Sequence, residues 1–212
     1  MNMIAQNTQE WLDLRLGHVT ASRVADVVAR TKAGYSASRA NYLAQLVAER
    51  LTGKGGENFT NAPMQWGTDH EPEGRRAYTF RHGRPVVLAS FVRHPTIKMA
   101  GASPDGFVET DGLVEIKCPN TATHVETFLT GKIPAKYETQ MLWQMACTGR
   151  EWCDFVSYDP RLPEAMCLFV SRISYDAERI AELEEEVRLF LGEVNALIDR
   201  MQRVVCEQTE AA

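Results

Sequence analysis

Ser103-Pro104-Asp105-Gly106, followed by Val114-Glu115-Ile116-Lys117-Cys118, decides how the middle of this chain folds. Residues two apart on a strand share a face, so Val114, Ile116 and Cys118 point one way, into a core, while Glu115 and Lys117 point the other way together. Asp105 starts the preceding strand, and Asp111-Gly112 supplies a hairpin turn between the two. Asp105 and Glu115 are thereby neighbours across an antiparallel pair, with Lys117 alongside. Two hard carboxylates within reach of one point make a Mg²⁺ site, with the remaining positions left to carbonyls and water. An ion held there polarises a phosphoryl oxygen and lowers the pKa of an attacking water. A lysine beside it orients that water or stabilises the developing charge. The pattern suits phosphodiester hydrolysis. Taken singly, Glu-x-Lys on a strand is usually a solvated face and Pro-Asp-Gly usually a turn; their pairing around one hairpin is what points to a site.

Outward from this segment, PVVLASFV (85–92), IKMAGAS (97–103), GFVET (106–110) and LVEIK (113–117) are short β-type runs divided by turn signals. The first third reads as helical. Thr8 caps a short helix through Leu16, ended by Gly17, and Thr20 or Ser22 starts a second with Val24, Val27 and Val28. After a loop (31–36), Ser38 caps a longer helix with Tyr42, Leu43, Leu46, Val47 and Leu51, stopped at Gly53. The glycine-rich stretch 53–63 reads as a surface loop. A helix over Met64 to about Phe80 contains Pro72, which predicts a kink or a start close to that proline. Beyond the hairpin, helices are expected over Thr123–Leu129 and Pro134–Thr148, and strands over Trp152–Tyr158 and Met166–Ile173. Ile180, Leu183, Val187, Phe190, Val194, Leu197 and Met201 then trace one long amphipathic helix. The sum is an α/β fold: a central mixed β-sheet flanked by helices, with a helical N-terminal third and a long C-terminal helix.

With 212 residues, 44% hydrophobic and 24% charged, the chain has the composition of one globular domain, placed at residues 1–205 with a frayed tail at 206–212. No apolar run approaches the roughly 20 residues that span a bilayer, and MNMIAQNTQEW lacks the basic flank and apolar stretch of a secretory signal. Five cysteines, an odd number without a Cys-x-x-Cys pair, read as buried reduced thiols of a cytoplasmic protein. A net charge of −5 means that any phosphate binding is local.

The segment Ser-Pro-Asp-Gly followed by Glu-Ile-Lys-Cys-Pro resembles the phage lambda exonuclease (alkaline exonuclease) family of the PD-(D/E)XK nuclease superfamily. The resemblance begins at Trp11-Leu-Asp-Leu-Arg-Leu-Gly-His-Val-Thr-Ala-Ser22, continues through Trp66-Gly67, Glu71 and Gln140, and ends near Tyr158-Asp159-Pro160-Arg161, about 150 residues in order. It implies a restriction-endonuclease-like core and a Mg²⁺-dependent exonuclease, with Mn²⁺ able to substitute and one or two ions per subunit. Such enzymes digest one strand of linear double-stranded DNA processively, 5′ to 3′, to mononucleotides. The 3′ overhangs they leave serve recombination by single-strand annealing. It further implies a ring-shaped homotrimer beside a single-strand annealing protein, in a bacterial cell and of phage or prophage origin. Three inward-facing cationic surfaces would reconcile an acidic chain with a DNA substrate, and the acidic face Glu182, Glu184, Glu185, Glu186 fits an outer or subunit-facing position.

By the same resemblance, Asp105, Glu115 and the carbonyl of Ile116 hold metal, and Lys117 positions the nucleophilic water. Glu71 matches a helix-borne acid near the metal, and Gln140 a glutamine that contacts the water on it. Gly67, Glu71, Gly74 and Tyr78 share a helix face, as do Tyr137, Gln140 and Gln144. Arg15, Ser22 and Ser103 match a pocket for the 5′-terminal phosphate, where an arginine fork and hydroxyls at a helix start suit phosphate oxygens. The family's second arginine in that pocket has no counterpart in Thr121-Ala122-Thr123-His124. Met64 falls where the family inserts a strand-parting wedge, and Arg30 and Lys32 where a loop touches the duplex groove or backbone. Two other readings fit the residues: a related endonuclease, which would cut closed circular DNA, and a non-catalytic DNA-end scaffold, which would show no metal-dependent turnover. The iron–sulfur relatives of the superfamily use clustered cysteines near the C-terminus, where this chain has only Cys206.

Overall fold

A computed structural model describes residues 4–56 and 61–210. Residues 57–60 of the expected glycine-rich loop and the last two of the expected tail lie outside the described residues. The N-terminal third is helical, as its spacing predicts. Thr8 caps α1 (Gln9–Arg15) by accepting from the Trp11 N–H. A two-residue strand, β1 (Val19–Thr20), leads into α2 (Ala21–Val28) with Thr20 in the capping position; Ser22 stands in the first turn. The expected loop after α2 holds a small hairpin, β2 (Arg30–Thr31) with β3 (Gly34–Tyr35). Next comes α3 (Ala37–Thr52), whose capping position is Ser36 rather than Ser38. Then α4 (Ala62–His82) runs through Pro72. The carbonyl that loses its partner there is that of Thr68, an exposed residue.

The run 85–92 divides into β4 (Val86–Val87) and β5 (Val92–Arg93), which belong to different sheets. β6 (Ala100–Ala102) pairs with β1 in parallel and β5 antiparallel, making a three-stranded sheet. β7 (Gly106–Val108) and β8 (Gly112–Lys117) form the predicted hairpin. α5 (Thr121–Thr130), α6 (Ala135–Thr148), β9 (Trp152–Tyr158) and β10 (Leu168–Ser174) follow at the expected places. The central sheet has the order β10-β9-β8-β7-β4, mixed because β8 and β9 are parallel and the other pairs antiparallel. The last helix, α7 (Ala177–Glu210), continues past Cys206, so 206–210 extend the helix instead of fraying from it.

The sheet separates two apolar layers. On one side Leu113 and Phe155 pack with Leu46, Trp143 and Phe190 from the helices α3, α6 and α7. On the other, Val114, Ile116, Cys118 and Val156 pack beneath Tyr78 of α4. The period-2 pattern of β8 thus sorts its side chains as the sequence requires. Each fully buried large apolar side chain contributes about 1.5–3 kcal/mol, which fixes the register of the strand that carries Glu115. The restriction-endonuclease-like α/β arrangement is the one expected. Of the five cysteines, Cys118, Cys147 and Cys153 are buried, whereas Cys167 is partly exposed and Cys206 exposed; all are free thiols. No described helix is long and apolar enough to cross a membrane.

Candidate active site

Pairing of Gly106 with Val114 sets the preceding Asp105 opposite Glu115. Asp105 Oδ2 accepts the Ile116 N–H at 2.6 Å. Along a strand the N–H and C=O of one residue leave by the same edge, so the Ile116 carbonyl also lies on the edge that Asp105 occupies, beyond the last β7 pairing. The three expected ligand groups therefore share one end of the hairpin.

Glu115 is fully buried on the α6 side of the sheet. Its Oε1 receives the Gln140 amide at 2.6 Å and the Lys117 ammonium, and its Oε2 receives the Gln144 amide at 2.5 Å. Gln140 is thus buried and bound to the carboxylate. Lys117 also lies 5.2 Å from the Tyr137 ring. Burial alone would lower the Lys117 pKa, but Glu115 and Asp105 raise it further, so the side chain stays a charged donor.

Glu71 reaches this cluster from α4, where it pairs with Arg75 one turn on. Gly74 lets that helix approach: an added Cβ would lie 3.0 Å from Ile116 Cγ2 and 3.2 Å from Tyr158 Cβ. Burial, offset in part by Arg75, and the charge of Glu115 raise the Glu71 pKa. The Asp105 carboxyl sits well above the usual carboxylate range, through burial first and then the charges of Glu115 and Glu71. The same surroundings push the Cys118 thiol up to about 12. Three carboxylates face two cations, Lys117 and Arg75, which leaves one negative charge in excess when all are ionised, and a dication would relieve their mutual repulsion.

The donor set fits magnesium. Mg²⁺ takes hard oxygens, keeps several waters and needs only one or two carboxylates. Among the described residues no three His, Cys, Asp or Glu side chains converge as a closed metal cage. Asp105, Glu115 and the Ile116 carbonyl are instead oxygen groups that could hold an ion in an open site.

A second cluster forms around Trp11. Its indole N–H donates to Ser103 Oγ at 3.1 Å, and the Arg15 guanidinium stacks over its ring at 3.9 Å. Burial lowers the Arg15 pKa to about 10, which leaves it cationic at neutral pH; Tyr42 and Glu49 act on it electrostatically, but among the described residues no carboxylate forms an ion pair with it. The parallel pairing of Thr20 with Gly101 brings the start of α2 alongside the strand that leads to Ser103. Ser22, exposed in that first turn, has its Oγ 3.5 Å from Thr20 Oγ1. Arg15 and Ser103 are thus joined through Trp11, and Ser22 stands on the adjoining helix start.

Other expected residues are not gathered there. Met64 is 58% exposed near the start of α4. Arg30 is tied to α7 by Glu186 at 2.6 Å and to Tyr35 at 3.0 Å, so its guanidinium is engaged within the chain. Lys32 lies exposed at the turn of the β2–β3 hairpin. His124 is fully buried between Ser157 Oγ at 2.8 Å and the Met166 carbonyl at 2.9 Å, so both ring nitrogens are engaged within the core. Part of the acidic face of α7 is engaged within the chain: Glu184 pairs with Arg188 one turn on and lies 3.4 Å from His94, and Glu186 holds Arg30 and Tyr35. Gln144, Arg75 and Trp11 are contacts that residue types alone did not single out; the shared face of Gln140 and Gln144 was the available signal.

A model of the YqaJ-like viral recombinase domain matches residues 10–151. An alkaline exonuclease from Laribacter hongkongensis is 52% identical, with 95% of this chain and 100% of that chain covered and a TM-score of 0.89. The same comparison holds for its complex with dAMP. A phage-related exonuclease from Haemophilus somnus 129PT, 16% identical with 87% and 96% coverage and a TM-score of 0.68, shares the fold. No curated protein gives a significant match. The chain belongs to the YqaJ-like viral recombinase domain family, the lambda-exonuclease-like group that its hairpin motif resembles.

Proposed function

We propose that this protein is a Mg²⁺-dependent PD-(D/E)XK exonuclease. It digests the 5′-ended strand of linear double-stranded DNA processively, 5′ to 3′, to mononucleotides, and leaves 3′ overhangs for single-strand annealing. The convergence of Asp105, Glu115 and Lys117 at one end of the β7–β8 hairpin carries this reading. Asp105, Glu115 and the Ile116 carbonyl hold the ion, magnesium or manganese. When bound, the ion polarises the scissile phosphoryl oxygen and makes a nucleophile available from water at neutral pH. Lys117, held in place by Glu115, donates toward the attacking oxygen or the charge that develops on the phosphoryl group. Gln140 keeps Glu115 oriented, and Glu71 adds a third negative charge from α4.

Arg15, Ser103 and Ser22 take the 5′-terminal phosphate. The stacking of Arg15 on Trp11 holds the guanidinium fork in one orientation, and phosphate is the bidentate partner it otherwise lacks. The family's second pocket arginine has no counterpart in 121–124, so digestion with and without a 5′-phosphate measures how strongly the remaining groups select that end. Met64, exposed before Trp66, parts the strands. Arg30 and Lys32 reach the groove if Arg30 exchanges Glu186 for a DNA phosphate. The mononucleotide product agrees with the dAMP bound by the Laribacter relative. A homotrimeric ring around the duplex, an annealing partner, a bacterial cytoplasmic location and a phage or prophage origin complete the proposal. One or two ions serve each subunit.

Strand-resolved digestion of end-labelled duplex tests it, with and without a 5′-phosphate. With Mg²⁺ the 5′-phosphorylated strand should shorten to mononucleotides while its complement persists, and chelator or a closed circle should leave the DNA intact. Untouched linear 5′-phosphorylated duplex in the presence of Mg²⁺ contradicts the proposal. Cutting of closed circles would instead favour an endonuclease.

A further inference from the structure

Gln144 is the member of the Glu115 cluster to which neither the hairpin motif nor the family resemblance gives a role. Its side chain is fully buried on α6, one turn beyond Gln140. Its amide donates to Glu115 Oε2 at 2.5 Å, the oxygen opposite the one held by Gln140 and Lys117. At its other end, Oε1 meets the Cys153 thiol at 3.9 Å, a weak contact. The α6 residues around it, Met141, Trp143 and Met145, are buried and apolar. An apolar side chain of similar size would fill this position without the desolvation cost of a buried amide. What the amide supplies, and an apolar side chain cannot, is a donor to the carboxylate.

We propose that Gln144 is a positioning residue: by holding Oε2 it fixes the plane of the Glu115 carboxylate, and with it the oxygen presented to the divalent ion. The terminal torsion of a glutamate is broad and nearly free. Donors on one oxygen alone leave the group able to swing, whereas donors on both oxygens pin it. Gln144 acts through Glu115 and touches no reacting atom. The inference rests on Asp105 and Glu115 being the metal ligands of the proposed nuclease.

Thermal unfolding of the metal-free full chain, followed as Mg²⁺ is titrated in, separates this from a filling role. Gln144→Met keeps the volume and removes the donor. Loss of a partner that orients a metal ligand typically weakens metal binding about tenfold to a hundredfold. The metal concentration at the midpoint of the Tm rise should therefore move up at least about tenfold in Gln144→Met. The Mg²⁺ needed for half-maximal DNA cleavage should move by the same factor, at unchanged KM for DNA. Met141→Leu, a buried change on the same helix that does not touch Glu115, should leave the midpoint in place. Should Gln144→Met fail to fold, Gln144→Asn keeps an amide too short to reach Glu115 and should show the same shift. A midpoint equal to wild type in a folded Gln144 variant overturns the positioning role and leaves the metal site standing. No metal-dependent rise in wild type overturns the metal reading, and this inference with it.

Discussion

Glu115 on β8 and Asp154 on β9 are both buried carboxylates of adjacent strands, and they are treated in opposite ways. Asp154 receives two hydrogen bonds from Arg172, at 2.7 and 2.9 Å, and a third from the Tyr78 hydroxyl at 2.7 Å. Arg172 in turn stacks on Trp152 at 3.4 Å. One acid meets one base, and the pair closes off the α4 side of the sheet. Glu115, on the other face, shares Lys117 with Asp105 and lies within the field of Glu71. There the negative charge exceeds what the chain supplies to balance it. Burial of a carboxylate does not mark a site; burial without charge balance does.

The largest expected effect is on cleavage. Glu115→Gln, Asp105→Asn and Lys117→Ala should each reduce DNA hydrolysis by about a hundredfold or more, measured on linear duplex with Mg²⁺. Asp105→Asn should also raise the Tm of the metal-free protein. The native environment lifts the Asp105 pKa above its unfolded value, so the group opposes folding wherever the unfolded carboxyl is ionised, and an uncharged amide removes that opposition. A lower Tm in this variant would mean that the cluster is balanced after all.

At the balanced site the sign reverses. Asp154→Asn leaves Arg172, whose side chain is 38% exposed, without its counter-charge and should destabilise by about 1–3 kcal/mol in urea unfolding, while cleavage per folded molecule stays near wild type. Gly74→Ala lies between the two regions. Its methyl group would press on Ile116 and Tyr158, with a cost of about 1–3 kcal/mol as α4 is pushed outward and a partial loss of activity as Glu71 moves with it.

The smallest effect concerns acid. Burial would raise the pKa of Asp159, but hydrogen bonds from Arg161 and Thr121 outweigh it and hold the carboxyl below its ordinary value. Its folded-state pKa is depressed, so its contribution is present above the unfolded value and is lost as pH falls through the folded one. Arg161→Ala should therefore lower stability at neutral pH and flatten the fall below about pH 4. An unchanged acid limb would contradict this.

Sequence and structure agree where interactions are local. The alternation of β8 is written in residues two apart, and Gly53 ends α3 at a φ of 65° that only glycine adopts freely. What escaped the sequence depends on distant partners. β1 exists because two residues pair with β6 some 80 positions later. Arg30 reads as an exposed loop cation until Glu186, 156 residues away, is placed beside it. Run 85–92 looks like one strand because its hydrophobicity is continuous, yet the chain leaves one sheet and enters another within it. Asp105, Glu115 and Lys117 were legible as a set because one hairpin holds them all. Gln144 was legible only as a face, since nothing local says that this face meets a carboxylate.

Calorimetric titration of Mg²⁺ into the metal-free full chain asks most directly whether the excess negative charge at the β7–β8 hairpin captures a divalent ion. The account predicts saturable binding to wild type that is lost in Asp105→Asn and kept in Asp154→Asn, corrected for the folded fraction. Binding that survives Asp105→Asn, or that is absent from wild type, would contradict it.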